Sequence, residues 1–185
     1  MFAAAAAMTE GNLVWALITG NPVMADGVAL FHASHNNLAG AGAAPDVASL
    51  SAMRKAIRMQ KSLGGNEMNL AASLILAPPS LETGLEQLLA PLARYLPATT
   101  DEVNPFAGKF ETVIESRLET ASATAWYGMV SPNTIDTIEV AYLNGQQGLY
   151  TESRVGFDVD GMEMKARLDI GASVIDFRGF YKNPG

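Results

Sequence analysis

Apolar positions change their period along this chain. Residues 3–19 are alanine-rich and carry Leu13, Trp15, Leu17 and Ile18, which predicts a helix broken near Gly11-Asn12 and stopped by Gly20-Asn21-Pro22. Short apolar runs follow on either side of a turn signal at Asp26-Gly27. Residues 36–49 (NNLAGAGAAPDVAS) predict a long flexible loop. Ser49 then reads as the N-cap of a helix from Leu50 to Leu63, ended by Gly64-Gly65. Its apolar stripe is Leu50, Met53, Ala56, Ile57 and Leu63, and Arg54, Lys55, Arg58 and Lys61 take the other side. Residues 70–77 (NLAASLIL) predict a buried strand. After Pro78-Pro79 a second helix is expected, capped by Ser80, with Leu81, Leu85, Leu88, Leu89 and Leu92 inward. Pro97 to Pro105 reads as an irregular crossing.

From residue 108 onward the spacing turns to two. Strands are expected over 110–118, 135–143, 150–154 and 172–181, with a hairpin-type turn at Asn144-Gly145. The clearest hairpin joins 157–159 through Asp160-Gly161 to 162–170, where Met162, Met164, Ala166, Leu168 and Ile170 alternate with Glu163, Lys165, Arg167 and Asp169. Helices first and strands later, in a largely antiparallel sheet, make the class α+β and not a doubly wound fold. The chain holds no internal repeat.

With 185 residues, a single domain or two lobes on one core is expected. Apolar residues make up 49% and charged residues 17%, so the chain has few charges with which to cover itself. That deficit suggests that another subunit covers part of the surface. Cysteine is absent, which excludes disulfide scaffolds, thiol catalysis and zinc fingers. Twelve basic against nineteen acidic residues give −7, which disfavours a grip on nucleic acid by the whole molecule. No apolar run is expected to reach membrane-span length, and the start, without a basic residue, makes a poor signal peptide.

Candidate chemistry is sparse. His32 and His35 stand three apart and could ligate a metal or serve as a base, but no third ligand is evident and the segment is turn-rich. There is no G-x-S-x-G elbow or phosphate cradle, and Gly40-Ala41-Gly42 lacks the setting for one. Asp158, Asp160, Asp169 and Asp176 lie on or beside strands; Asp158-Val159-Asp160-Gly161 matches only a fragment of a calcium loop. No catalytic, cofactor-binding or metal site is therefore assigned. Arg54, Lys55, Arg58 and Lys61 are the candidate subunit-interface or DNA-facing residues.

Several segments in order carry a family likeness: Asp26 to Leu38, Leu50 to Lys61, Leu74 to Glu82, Asn104 to Phe110, Ile138 to Gly145, Gly156 to Gly161, Arg167 to Gly171 and Asp176 to Gly179. This series, over about residues 20–185, resembles the major capsid proteins of tailed phages, specifically the Mu-type major head subunits. The resemblance implies a Hong-Kong-97-like fold. Residues 1–21 would be an N-terminal helical segment, a truncated arm by comparison with longer family members. Residues 22–48 would hold the extended loop, and 70–134 the axial domain. Residues 49–69 and 135–185 would form the peripheral domain with its spine helix and antiparallel sheet. It implies a structural protein, not an enzyme, without cofactors or membrane contact. Its partners would be copies of itself in pentamers, hexamers and an icosahedral shell, and non-specifically the packaged double-stranded DNA. A scaffold and a prohead protease are admitted as further partners. Its place would be the virion, after assembly in the host bacterial cytoplasm. The alternatives are a small hydrolase or metal-dependent enzyme using His32 and His35, an encapsulin-like compartment, and a monomeric binding module.

Overall fold

The computed structural model describes residues 2–90, 104–156 and 160–185. The chain runs through α1 (Phe2–Gly20), α2 (Val47–Arg58), β1 (Ala72–Ala77), α3 (Glu82–Leu89), β2 (Glu111–Ile114) and α4 (Ser116–Ala121). It continues as β3 (Trp126–Val130), β4 (Ile138–Tyr142), β5 (Tyr150–Val155), β6 (Met162–Arg167), β7 (Ile170–Val174) and β8 (Phe180–Asn183). The α+β expectation holds. A central sheet has the order β2-β1-β3-β8, while β4 pairs with β7 and β5 with β6 as separate two-stranded sheets. Among the described strand pairs only β1–β2 is parallel, and a single parallel bridge joins Leu38 to Lys182 of β8.

Alternation along the central strands sends side chains into two cores. Ile75, Ala77, Trp126, Val130 and Tyr181 meet Leu50, Met53 and Ile57 of α2 and Leu85, Leu88 and Leu89 of α3. Leu76, Tyr127 and Phe180 face the opposite way, to Leu30, Phe31, Leu118 and Ile18. The sheet is thus covered on both faces, and α1 rests on α4 and β7 at one side.

Several sequence expectations shift. α1 is unbroken at Gly11-Asn12: a Cβ on Gly11 would stand 3.3 Å from an Arg117 guanidinium nitrogen, and Arg117 donates to Asn12 Oδ1 at 2.6 Å, so the glycine is a seat for an arginine and not a break. By length and composition α1 could cross a membrane, contrary to the expectation that no run is long enough. Asp46, not Ser49, caps α2. Asp46 accepts from the Ser49 N–H at 2.6 Å, and Ser49 Oγ accepts from the Asp46 N–H at 2.9 Å, a reciprocal capping box. The helix stops at Arg58, and Gly64-Gly65 instead tips a small hairpin bridged at Lys61 and Glu67. Leu63, expected inside, is 97% exposed there.

Ser80 is no cap: its N–H and hydroxyl donate to Glu119 at 3.0 and 2.6 Å, holding that carboxyl below its usual range. Leu92, the residues from Pro97 to Val103 and the arm 157–159 lie outside the described residues. The strand expected over 110–118 ends at Ile114, because Glu115 accepts from the Arg117 N–H and starts α4. Asn144-Gly145, both at positive φ, does not fold β4 back on the next strand; β4 pairs with β7 instead. The hairpin pairs β6 with β5, from Tyr150↔Arg167 to Val155↔Met162. Residues 172–181 split into β7 and β8. At the break, a Cβ on Gly179 would come within 2.4 Å of Thr137.

The segment expected as a flexible loop is pinned at several points. The Ala39 N–H donates to Lys182 O, the Lys182 N–H to Asn37 O, the Ala43 N–H to Asn183 Oδ1, and the buried Trp126 indole to Ala43 O at 2.9 Å.

Gly128 lies where α2 presses on β3; an added Cβ would sit 2.1 Å from Met53 Sδ and 2.8 Å from its Cγ. Met53 is fully buried in the core, so moving its thioether aside disturbs the residues packed around it. Gly128→Ala should cost about 1–3 kcal/mol by overpacking. Gly171→Ala, with nothing near its Cβ, serves as the control. Urea unfolding of both variants checks this; equal midpoints would contradict it.

Candidate functional site

The two histidines belong to a latch built by the segment between α1 and α2. Asn21 sits in the left-handed region at φ 49°, and its Oδ1 accepts from the Phe31 N–H at 2.6 Å. Asn37, fully buried, accepts from the His32 N–H at 3.1 Å and donates to Leu30 O at 2.7 Å. His32 Nδ1 accepts from the Ser34 N–H at 3.2 Å, capping the short helical turn Ala33–His35.

His35 is only 5% exposed. Its ring stacks flat on Phe177, with centroids 3.8 Å apart. Nε2 lies 2.8 Å from Asp26 Oδ2, and Nδ1 lies 3.1 Å from Leu30 O. Both partners only accept, so the two contacts are satisfied together when both ring nitrogens carry protons. The His35 carbonyl accepts from the buried Gln60 amide at 2.8 Å. Both histidines are thus committed to structure. Among the described residues, no group of three His, Cys, Asp or Glu could hold a metal. Phe177 and Gln60 were not singled out in the sequence, and no local signal there links them to His35.

The carboxylates are dispersed. Asp169 pairs with Arg167 at 3.0 Å, and Asp176 with Arg178 at 2.9 Å. Asp160 is exposed, and Asp158 lies outside the described residues.

The four candidate cations all lie on the outer side of α2 or just after it, and all are exposed. They are not equivalent. The Arg54 guanidinium sits 4.7 Å over the ring of buried Phe106, a cation–π contact within the subunit. Arg58 donates to Asn69 Oδ1 at 2.7 Å. Lys55 and Lys61 make no ion pair among the described residues and flank a groove. Lys182, on the other face of the sheet, stands over Phe31 and Tyr127 at 5.7 and 5.6 Å, and burial lowers its pKa.

Asp26 carries a pH consequence. The Val28 N–H first, then His35, holds its carboxyl below the ordinary 3.8. Near and below that value the unfolded chain binds more protons than the fold. The contribution is therefore present at neutral pH and disappears as pH falls through the folded-state value. Asp26→Asn should lower the thermal midpoint at neutral pH, and the gap to the parent should shrink as the pH is taken below the ordinary carboxyl value of 3.8. Thermal unfolding from neutral pH to below that value tests it; a gap that stays constant would contradict the assignment.

The phage capsid protein family matches residues 1–183. No curated protein matches the chain. Among solved structures, the chain is similar to a phage-related protein from Bordetella bronchiseptica RB50, with a TM-score of 0.54 and 8% identity. That likeness covers 89% of this chain and 57% of the other, so the chain spans less than two thirds of that protein's length. At such low identity the likeness concerns the mixed α+β fold alone. Family membership rests on the match from residue 1 to 183 of a chain with 185: this chain belongs to the phage capsid protein family.

Proposed function

We propose that the chain is a major head subunit that self-assembles into pentamers and hexamers and closes an icosahedral shell around phage DNA. The family match along almost the whole chain carries this reading. The surface supports it. A compact protein of 19.5 kDa exposes roughly 8,500 Å², whereas this chain exposes 11338 Å². The excess includes large apolar side chains of the kind that subunit contacts cover. The Mu-type relationship is supported by the ordered sequence segments alone.

Within this reading, the central sheet and its covering layers form the axial unit, and β4, β7 and the β5–β6 ribbon belong to the peripheral unit. The two small sheets share no ladder with the central one, which favours that seam. Unlike the expectation that residues 49–69 belong to the peripheral domain with its spine helix, α2 goes in this reading with the axial sheet, because Leu50, Met53 and Ile57 share its core. α1 touches both β7 and α4 and so bridges the two units as a spine would. DNA contact is a weak, non-specific role for a chain of net charge −7.

Light scattering and electron micrographs of one purified sample test the reading. The expected result is rings or closed shells with masses many times 19.5 kDa. A monomer at every concentration and salt would overturn it.

A further inference from the structure

Part of the apolar surface that the fold leaves uncovered lies on the β5–β6 ribbon. Every residue of both strands is exposed, and the two strands pack extensively only on each other. The register divides the ribbon into two unlike faces. Tyr150, Glu152 and Arg154 stand opposite Arg167, Lys165 and Glu163. That face is satisfied by itself: Arg154 meets Glu163 at 2.5 Å, Lys165 meets Glu152 at 3.8 Å, and the Arg167 guanidinium covers the Tyr150 ring at 5.3 Å. The other face carries Thr151, Ser153 and Val155 opposite Ala166, Met164 and Met162. Nothing among the described residues covers it: Val155 is 81%, Met162 67% and Met164 59% exposed. A two-stranded ribbon is marginal in water by itself, so this face is stable when something apolar lies on it.

A receptor of matching chemistry exists on the same chain. Between α2 and residues 33–40 runs a groove of about 500 Å³. Leu38, Ala56, Met59 and Tyr181 give it apolar walls, and Lys55 and Lys61 stand on its rim. No carboxylate lines it among the described residues. The ribbon has the complementary signs. Residues 155–164 contain no cation, and exposed Asp160, free of any ion pair among the described residues, precedes Met162 by two positions.

We propose that the β5–β6 ribbon of one subunit lays its apolar face in the α2 groove of a second copy of this chain, with Asp160 against Lys55 and Lys61. The proposal deepens the self-assembly reading and rests on it. It gives Lys55 and Lys61 to a protein contact, not to DNA.

The absence of cysteine makes a direct test available. Met164→Cys and Met59→Cys replace exposed side chains, so both variants should fold. Mixed and mildly oxidised, they should form disulfide-linked dimers at roughly tenfold or more the yield of Met164→Cys mixed with Ser173→Cys on β7, because docking raises the local thiol concentration. Adding Lys55→Glu and Lys61→Glu to the groove partner should abolish the excess, and Asp160→Lys on the ribbon partner should restore it. Light scattering on the parent runs in parallel. An assembled parent with no excess cross-link means that something else covers the groove; it overturns the docking and leaves the shell reading standing. A monomeric parent with no cross-link overturns both.

Discussion

β3 is hydrogen-bonded along both edges, to β1 and to β8, and buried on both faces. A strand in that position leaves the rest of the chain little choice. Trp126 and Val130 must be met by α2 and α3 on one face, and Tyr127 by Leu30, Phe31 and Phe180 on the other. The Trp126 indole also needs an acceptor, which Ala43 provides from eighty-three residues upstream. That bond and the Lys182 and Asn183 contacts hold in place a Gly- and Ala-rich segment whose apolar packing on the cores is limited to the partly buried Leu38 and Ala39. The His35 latch extends the same logic. It clamps the 22–38 segment to Phe177 and Gln60, so the chemistry that looks catalytic in sequence is used to close a layer over the sheet.

The contrast with the outer half of the molecule is physical. The central sheet has covering layers on both faces, whereas the ribbon strands have none. β6 alternates apolar and charged positions as regularly as a buried strand, yet it points Met162 and Met164 at water. Such a pattern is costly in an isolated subunit and fits the proposed self-assembly, in which copies of the chain would cover it. The low charge fraction of the chain fits the same proposal, because contact area cannot be spent on solvated charges.

The sequence disclosed most where one local signal decides the outcome. The α2 stripe of Leu50, Met53 and Ile57, the buried strand at 72–77 and the Leu85-Leu88-Leu89 face are legible from spacing alone. Boundaries failed where two polar residues compete for one role. Asp46 and Ser49 can each cap, and the box uses both, with Asp46 outermost. Glu115 reads as an outward strand residue but captures the Arg117 N–H and begins a helix. Partner choice was illegible wherever the partner lies far along the chain. Asn144-Gly145 has the backbone of a tight turn, but nothing near it says that β4 waits for β7. Period two also says nothing about burial. Met162 and Met164 alternate like core residues and are exposed, so β6 was visible as a hairpin strand, but its partner was expected at 157–159 and not in β5, and the ribbon was invisible as a contact surface. Among the four cations, spacing could not tell that Arg54 is occupied by Phe106 while Lys55 remains available.

The charge balance constrains how such subunits meet. With −7 on each chain, two copies approaching through arbitrary faces repel, more strongly at low salt. A cationic groove rim is an exception to that field, and it attracts only the acidic parts of another copy. Because ribbon and groove are different surfaces, contact between them is heterologous: each subunit gives one and receives one. A heterologous contact closes into a ring only when the rotation it imposes divides a full turn, and otherwise it propagates. The ring size of a capsomer would then be set by the angle at which the ribbon leaves its own subunit. That angle depends on the short connections around Leu143–Gly145 and Leu168-Asp169, where Asn144 and Gly145 adopt positive φ and the Leu143 N–H donates to Asp169 O. Assembly geometry would therefore be encoded in a few turn residues at the root of the ribbon.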